Sequence, residues 1–268
     1  MRRIYFIYII LIHISIATSQ RVVGYYPQWV QGSFTPDKID YSVITHVIHS
    51  FAWPDEEGNI LHYDNMLSQS VNNTVHDNGS KILLCFGGWG QSWGFSASMS
   101  TPELREIFID NIISICETYN YDGVDIDWEQ PVNVTEKNNL TIFIAELRQA
   151  FDDLYPDWII SMAVPVSNWS GQYYDFNQLK QSVDFFNAMT YDIHGSWTNH
   201  AGHNSPLYQS PPGDPDGSVN TGINYLVNTR GIESTKVNVG IPFYGKEYNT
   251  SGINQAFTGD VVSRLYNE

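Results

Sequence analysis

Apolar positions along the chain follow two alternating rhythms. Short β-branched and aromatic runs recur over residues 22–29, 45–53, 81–89, 123–129, 158–166, 185–192 and 236–244, predicting seven strands. Between several of them the apolar residues are spaced three and four apart. The clearest such stretch covers 102–119, where Leu104, Ile107, Phe108, Ile112 and Ile115 share a face and Ser100, Thr101, Pro102 and Glu103 form a helix start. A second helix is predicted over 136–153, with Leu140, Phe143, Ile144, Leu147 and Phe151 inward, and a third over 219–229, ended by Gly231. Alternating strands and helices imply parallel strands covered by helices, in a doubly wound sheet or a barrel. The near-continuous apolar strand at 158–164 fits burial on both faces. The Pro/Gly-rich stretch 211–217 reads as a surface loop, so one α/β domain over 20–268 is expected.

Composition narrows the options. The chain has 268 residues, 42% of them hydrophobic and 16% charged, enough for a sizeable core and too little charge for a disordered chain. Lys and Arg number 13 against 29 Asp and Glu, and the formal charge of −16 argues against a nucleic-acid partner. Seventeen Tyr and eight Trp exceed what a core needs, and their amphipathic rings suit ligands with apolar faces and polar edges, carbohydrates among them.

Arg2 and Arg3 precede an apolar run over 4–16, and Ala17 and Ser19 stand at signal-peptidase spacing, so residues 1–19 read as a secretory signal. The run is shorter than the roughly 20 residues that span a bilayer, so no membrane association is expected after its removal. An extracellular protein is expected. Sequons at Asn72, Asn78, Asn133, Asn139, Asn168 and Asn249 agree with that compartment. Cys85 and Cys116 are the only cysteines and are expected to be buried free thiols.

Candidate chemistry concentrates in the fourth predicted strand, where Asp125, Asp127 and Glu129 alternate with Val124, Ile126 and Trp128. Side chains two apart in a strand share a face, roughly 6.6 Å from one another. With flanking helices covering the apolar face, the acids should point into a sheet centre or barrel. Three ionised carboxyls there would repel one another and be poorly solvated, so at least one should hold its proton. A protonated carboxyl beside an ionised one can donate a proton to a glycosidic oxygen. Glu129 is best placed for this, because barrel active sites lie at the C-terminal rim of the strands.

The run DGVDIDWE at 122–129 resembles the signature of family 18 glycoside hydrolases, the chitinases and their relatives. The resemblance extends, in the family's order, to KILLCFGGW at 81–89, MTYD at 189–192 and GIPFYG at 240–245. It implies a TIM (β/α)8-type barrel that hydrolyses β-1,4-N-acetylglucosamine linkages in chitin or chito-oligosaccharides. It also implies that configuration is retained, with the substrate's own N-acetyl carbonyl as nucleophile and no metal or other cofactor. By resemblance, Glu129 is the general acid and then the base, Asp127 orients the acetamide, Asp125 tunes Asp127, and Tyr191 hydrogen-bonds the acetamide carbonyl. Met189 and Asp192 line the same subsite, and Tyr25, Phe51 and Trp89 line the sugar cleft. Gly87 and Gly88 let backbone approach the pocket.

The sequence departs from the family at several points. Cys85 stands where a small hydroxyl residue is usual, Gln130 where an aromatic is common, and no eighth-strand segment with its cleft-floor Trp follows the seventh strand. An incomplete barrel is therefore expected, acting as a monomer. Alternatives within the family are a non-catalytic chitin-binding lectin, which typically lacks the acid that Glu129 supplies here, and an endo-β-N-acetylglucosaminidase acting on N-glycans. Two outside readings are weaker. GQSWG at 90–94 matches the nucleophile elbow of α/β-hydrolases, but no helix is predicted before Pro102. His194, His200 and His203 have no common metal-ligand spacing and read as solvated or cleft-rim histidines.

Overall fold

The computed structural model describes residues 20–266; the predicted signal sequence lies outside them. In chain order the elements are β1 (Val23–Pro27), β2 (His46–Pro54), β3 (Ile60–His62), α1 (Gln69–Asp77), β4 (Lys81–Gly87), α2 (Phe95–Ser98), α3 (Pro102–Tyr119), β5 (Gly123–Asp127), α4 (Val134–Leu154), β6 (Ile159–Val164), α5 (Asn168–Gly171), α6 (Phe176–Ser182), β7 (Phe185–Ala188), α7 (Val219–Asn224), β8 (Val237–Val239), β9 (Tyr244–Thr250) and β10 (Phe257–Leu265). Seven strands run parallel in the order β1-β2-β4-β5-β6-β7-β8, and β3 folds back antiparallel on β2. This is the expected barrel arrangement, left open between β1 and β8. At the base of that opening Arg21 Nη1 donates to the Thr235 carbonyl and to Asn238 Oδ1, both at 3.3 Å.

The helices obey their capping chemistry. Thr101 accepts from the Leu104 amide with Pro102 in the first turn, and left-handed Asn120 (φ 62°) stops α3 where the periodicity predicts. The α4 helix starts two residues before the predicted Glu136, because Asn133 caps the Glu136 amide while Glu136 Oε2 accepts from the Val132 amide. Gly231 (φ 68°) follows the last turn after α7, as expected.

Period-two alternation separates two apolar layers. Outward residues Ile82, Leu84, Phe86, Val124, Ile126, Ile160, Met162 and Phe186 pack with Phe108, Ile112, Phe143 and Leu147 of the helices. Ile48, Leu83, Cys85 and Phe185 form a small inner cluster, against which Val23, Phe51 and Ile159 pack. Both cysteines are free and fully buried, as expected. Asn72 is buried too, its Nδ2 donating to the Tyr119 carbonyl at 2.8 Å, so that sequon is closed off by the fold.

The seventh predicted strand, 236–244, is a correction. Only Val237–Val239 pairs with β7; the Gly240 amide still donates to the Ala188 carbonyl at 3.0 Å at the end of β7, and Pro242 beyond it offers no amide hydrogen. Beyond it the chain forms a separate antiparallel β9-β10 hairpin that the periodicity did not predict. Among the described residues no helix is long and apolar enough to cross a membrane.

Candidate active site

The inner face carries a polar layer above its apolar cluster, centred on Asp125. That carboxylate is fully buried and accepts four hydrogen bonds: at Oδ1 from Ser161 Oγ (2.5 Å) and Asn187 Nδ2 (3.1 Å), at Oδ2 from Tyr25 Oη (2.9 Å) and Cys85 Sγ (3.3 Å). The donors come from β6, β7, β1 and β4, so the curvature of the sheet brings them to one point. Burial raises the Asp125 pKa and the four donors pull it back. Cys85 thus serves as one of the donors to this carboxylate. Burial and the neighbouring carboxyls raise its pKa, so the thiol keeps the hydrogen it donates.

Asp127 is the contrasting case. It is buried and its Oδ1 has no hydrogen-bond partner among the described residues, while burial and then the charges of Glu129 and Asp125 push its pKa well up. The strand ends here, two residues short of the predicted Glu129, which lies just beyond the rim and half-buried. Burial and then Asp192 raise the Glu129 pKa. The acids thus run from a saturated Asp125 inside to a half-buried Glu129 at the rim. A shallow pocket of about 330 Å³, lined by Trp93, Ser96, Trp128, Glu129 and Gln130, opens beside Glu129.

Glycines fix the approach of β4 to this strand. Gly87 sits at φ 111°, where a Cβ would meet the Asp127 carbonyl oxygen at 2.1 Å, and the Gly88 amide donates to that same oxygen at 2.8 Å. Gly87→Ala is expected to lower the unfolding free energy by about 2 kcal/mol or more through strain and clash, measured as the urea midpoint. At Gly88 a Cβ would press on the Phe51 ring at 2.6 Å, which holds that aromatic against the pocket-side backbone.

The remaining predicted residues gather at the same rim. Tyr25 exposes its ring while its hydroxyl sits on Asp125, and Trp89 stands almost wholly exposed. Tyr191, with its pKa raised by burial and the surrounding acids, packs edge-on against Tyr244, and Met189 precedes it half-buried at the end of β7. Asp192 is held from outside, Tyr244 Oη donating to it at 2.7 Å and Lys246 Nζ approaching to 2.9 Å.

Several contributors escaped the sequence reading. Ser161 and Asn187 were detectable as polar residues on the inner face of apolar strands. Tyr174, whose hydroxyl donates to the Trp128 carbonyl at 2.7 Å, had no such signal. Nor did Ser92. Its Oγ accepts from the Glu129 amide at 3.0 Å and approaches the Gly88 carbonyl at 3.2 Å, so the GQSWG serine positions Glu129's backbone. A short helix, α2, does start straight after Gly94, contrary to the expected gap. The hydroxyl's engagement with main chain is what sets this serine apart from a nucleophile.

The histidine reading is also corrected. Only His203 is exposed; His194 is fully buried and His200 largely so, because residues 193–216 fold back and bring both onto Asp214.

Comparison with known proteins agrees with this geometry. The chain is 30% identical over 267 residues to a probable chitinase 2 of Drosophila melanogaster, covering 90% of this chain and 53% of that protein. It spans no more than 63% of the curated relatives compared. It superposes with TM-score 0.85 and 28% identity on an Ostrinia furnacalis Group IV chitinase solved with allosamidin, covering 93% of this chain and 76% of that one. Human YKL-39, described as a pseudo-chitinase with retained chitooligosaccharide binding properties, matches at TM-score 0.81 and 30% identity over 90% of this chain and 72% of its own. The profile of glycosyl hydrolases family 18 matches residues 21–263, spanning all four motifs and every strand that builds the carboxylate layer, and to that family the chain belongs.

Proposed function

We propose that this chain is a secreted hydrolase of β-1,4-N-acetylglucosamine linkages in chitin or chito-oligosaccharides, its barrel domain occupying 20–268 after a leader at 1–19. The observation that carries this reading is the buried, unpartnered Oδ1 of Asp127 next to the half-buried Glu129. An isolated buried carboxylate oxygen is costly unless a partner arrives with the substrate. An acetamide N–H is such a partner.

In the proposed reaction Glu129 gives its proton to the glycosidic oxygen, which leaves with the electron pair of the C1–O bond. The substrate's acetamide oxygen attacks C1 from the opposite face and forms an oxazolinium. Asp127 accepts the acetamide N–H and offsets the developing positive charge, and Tyr191 donates to the acetamide oxygen. Water then attacks C1, losing its proton to the Glu129 carboxylate, and two inversions give net retention. The tethered nucleophile contributes effective molarity of about 10⁵–10⁸ M in favourable cases. Asp125, fixed by four donors, acts on Asp127 through its charge and helps to hold the Asp127 pKa up.

Exposed Trp29, Trp89, Trp93, Trp169 and Trp197 all follow the C-terminal ends of parallel strands and therefore share the rim with Glu129. Such rings suit the flat faces of a sugar chain, and Phe51, Met189 and Asp192 would contact the same substrate. The test is hydrolysis of a chito-oligosaccharide with NMR of the first product. Initial release of the β-anomer supports the reading, and binding without turnover by the intact protein favours the second reading, a lectin like human YKL-39. Turnover of an N-glycan chitobiose core, with chito-oligosaccharide left intact, would move the substrate class.

The acid must be protonated, so kcat/KM should fall as pH rises through the Glu129 pKa, above the usual glutamate value of about 4.3. Asp192 helps to raise that pKa. A pH–rate profile of Asp192→Asn is expected to show this limb moved to lower pH.

A further inference from the structure

We propose that His194, His200, Asp214 and Asp216 form a structural zinc site, separate from the carboxylate layer. Their candidate ligand atoms lie within 4.8 Å of one another. His194 Nε2 is 3.0 Å from Asp214 Oδ2 and 3.8 Å from Asp216 Oδ2, and His200 Nε2 is 3.3 Å from Asp214 Oδ2. Four ligands at zinc bond lengths of about 2.0–2.1 Å in a tetrahedron stand roughly 3.4 Å apart, within the spread of these distances.

Proton placement strengthens the assignment. His194 Nδ1 faces the His203 carbonyl oxygen at 2.8 Å, and a carbonyl can only accept, so Nδ1 carries the hydrogen. His200 Nδ1 likewise faces Asn199 Oδ1 at 2.8 Å. With Nδ1 so engaged in both rings, Nε2 is the nitrogen each has left to offer a metal. His194 Nε2 faces Asp214 Oδ2, His200 Nε2 lies 3.3 Å from the same oxygen outside hydrogen-bonding geometry, and Asp214 Oδ1 is occupied by the Asp216 amide at 3.0 Å. His200 Nε2 is buried and has no hydrogen-bond partner among the described residues. Two ring nitrogens and two carboxylates gathered at one point fit a shared cation, and the backbone carbonyl behind His194 is the usual outer support of a metal-bound imidazole. Two imidazoles and two carboxylates fit zinc. The fold leaves no slack there, since a Cβ at Gly202 would strike the His194 ring at 2.2 Å.

The cluster would staple the long segment between β7 and α7. That segment begins at Met189 and carries Tyr191 and Asp192, and Ala201 pairs with Asn254 and Gln255 at the tip of the β9-β10 hairpin. Zinc here would act on order and stability, with no part in the bond-breaking step.

The test is titration of chelator-treated intact protein with zinc by calorimetry, with cobalt(II) as a spectroscopic probe. The expected result is one zinc per chain, intense visible bands of tetrahedral cobalt, and a Tm rise of roughly 5–10 °C at free zinc one hundred times Kd. His200→Ala and Asp216→Asn, at the less buried positions, should each weaken zinc binding at least tenfold, and exposed His203→Ala should leave it unchanged. Wild-type protein that takes up no zinc overturns the site and leaves the cluster as a His–Asp hydrogen-bond pair. Unaltered affinity in both His200→Ala and Asp216→Asn overturns it as well.

Discussion

Replacing Glu129 by Gln is expected to lower kcat on a chito-oligosaccharide by about 10²–10⁴-fold, the usual contribution of a general acid. The amide keeps the size and the Ser92-anchored backbone of Glu129 and has no proton to give. Because the side chain lies beyond β5 and half-buried, its exchange should leave the fold and oligosaccharide affinity within a factor of a few. Single-turnover hydrolysis with separate binding calorimetry checks both halves of the expectation. A variant with full turnover would remove Glu129 from the chemistry, and a variant that lost binding as well would make its role one of holding the sugar.

Asp127→Asn should act in opposite directions on activity and stability. Its charge is the one proposed to offset the oxazolinium, and electrostatic groups of this kind are worth about 10²–10³-fold in kcat. Folding, by contrast, should improve. Burial and two acidic neighbours raise the Asp127 pKa in the folded protein, so between the ordinary aspartate value and the raised one the folded state binds more protons than the unfolded. Stability attributable to this group therefore falls as pH rises through that window, and below it the cost vanishes. The neutral Asn removes the cost. Its Tm should exceed that of the wild type by about 2–4 °C near neutrality, the equivalent of roughly 1 kcal/mol in a protein of this size, and the gain should disappear in acid. A variant less stable than wild type across the whole pH range would mean that Asp127 is held by bonds that the amide cannot replace. Full activity in the variant would sink its proposed part in the reaction.

Short-range physics is legible along this chain. The 102–119 helix appears at its predicted bounds because Thr101, Pro102 and Asn120 satisfy or stop backbone bonds within a few residues of themselves. Alternation at 124–128 correctly turned two acids inward and the apolar residues toward helices, since side-chain direction in a strand has a period of two. Where proline and glycine interrupt, as at 240–242, an apolar run was over-read as strand.

Relations among distant residues were another matter. That Asp125 is saturated and Asp127 is not depends on Tyr25, Cys85, Ser161 and Asn187 arriving from four other strands, and their distances are set by sheet curvature. The histidines at 194 and 200 read as solvated because Asp214 lies twenty residues from the first of them, across a loop without periodicity. By itself the sequence determined the alternating parallel strands, the long helices between them, the inward acids and, through its four motifs, the family. Tertiary structure alone decided which carboxylate is left without a partner, which serine anchors Glu129 and where the buried histidines converge. Periodicity records only local backbone geometry, whereas burial and hydrogen-bond supply are properties of segments brought together by the fold.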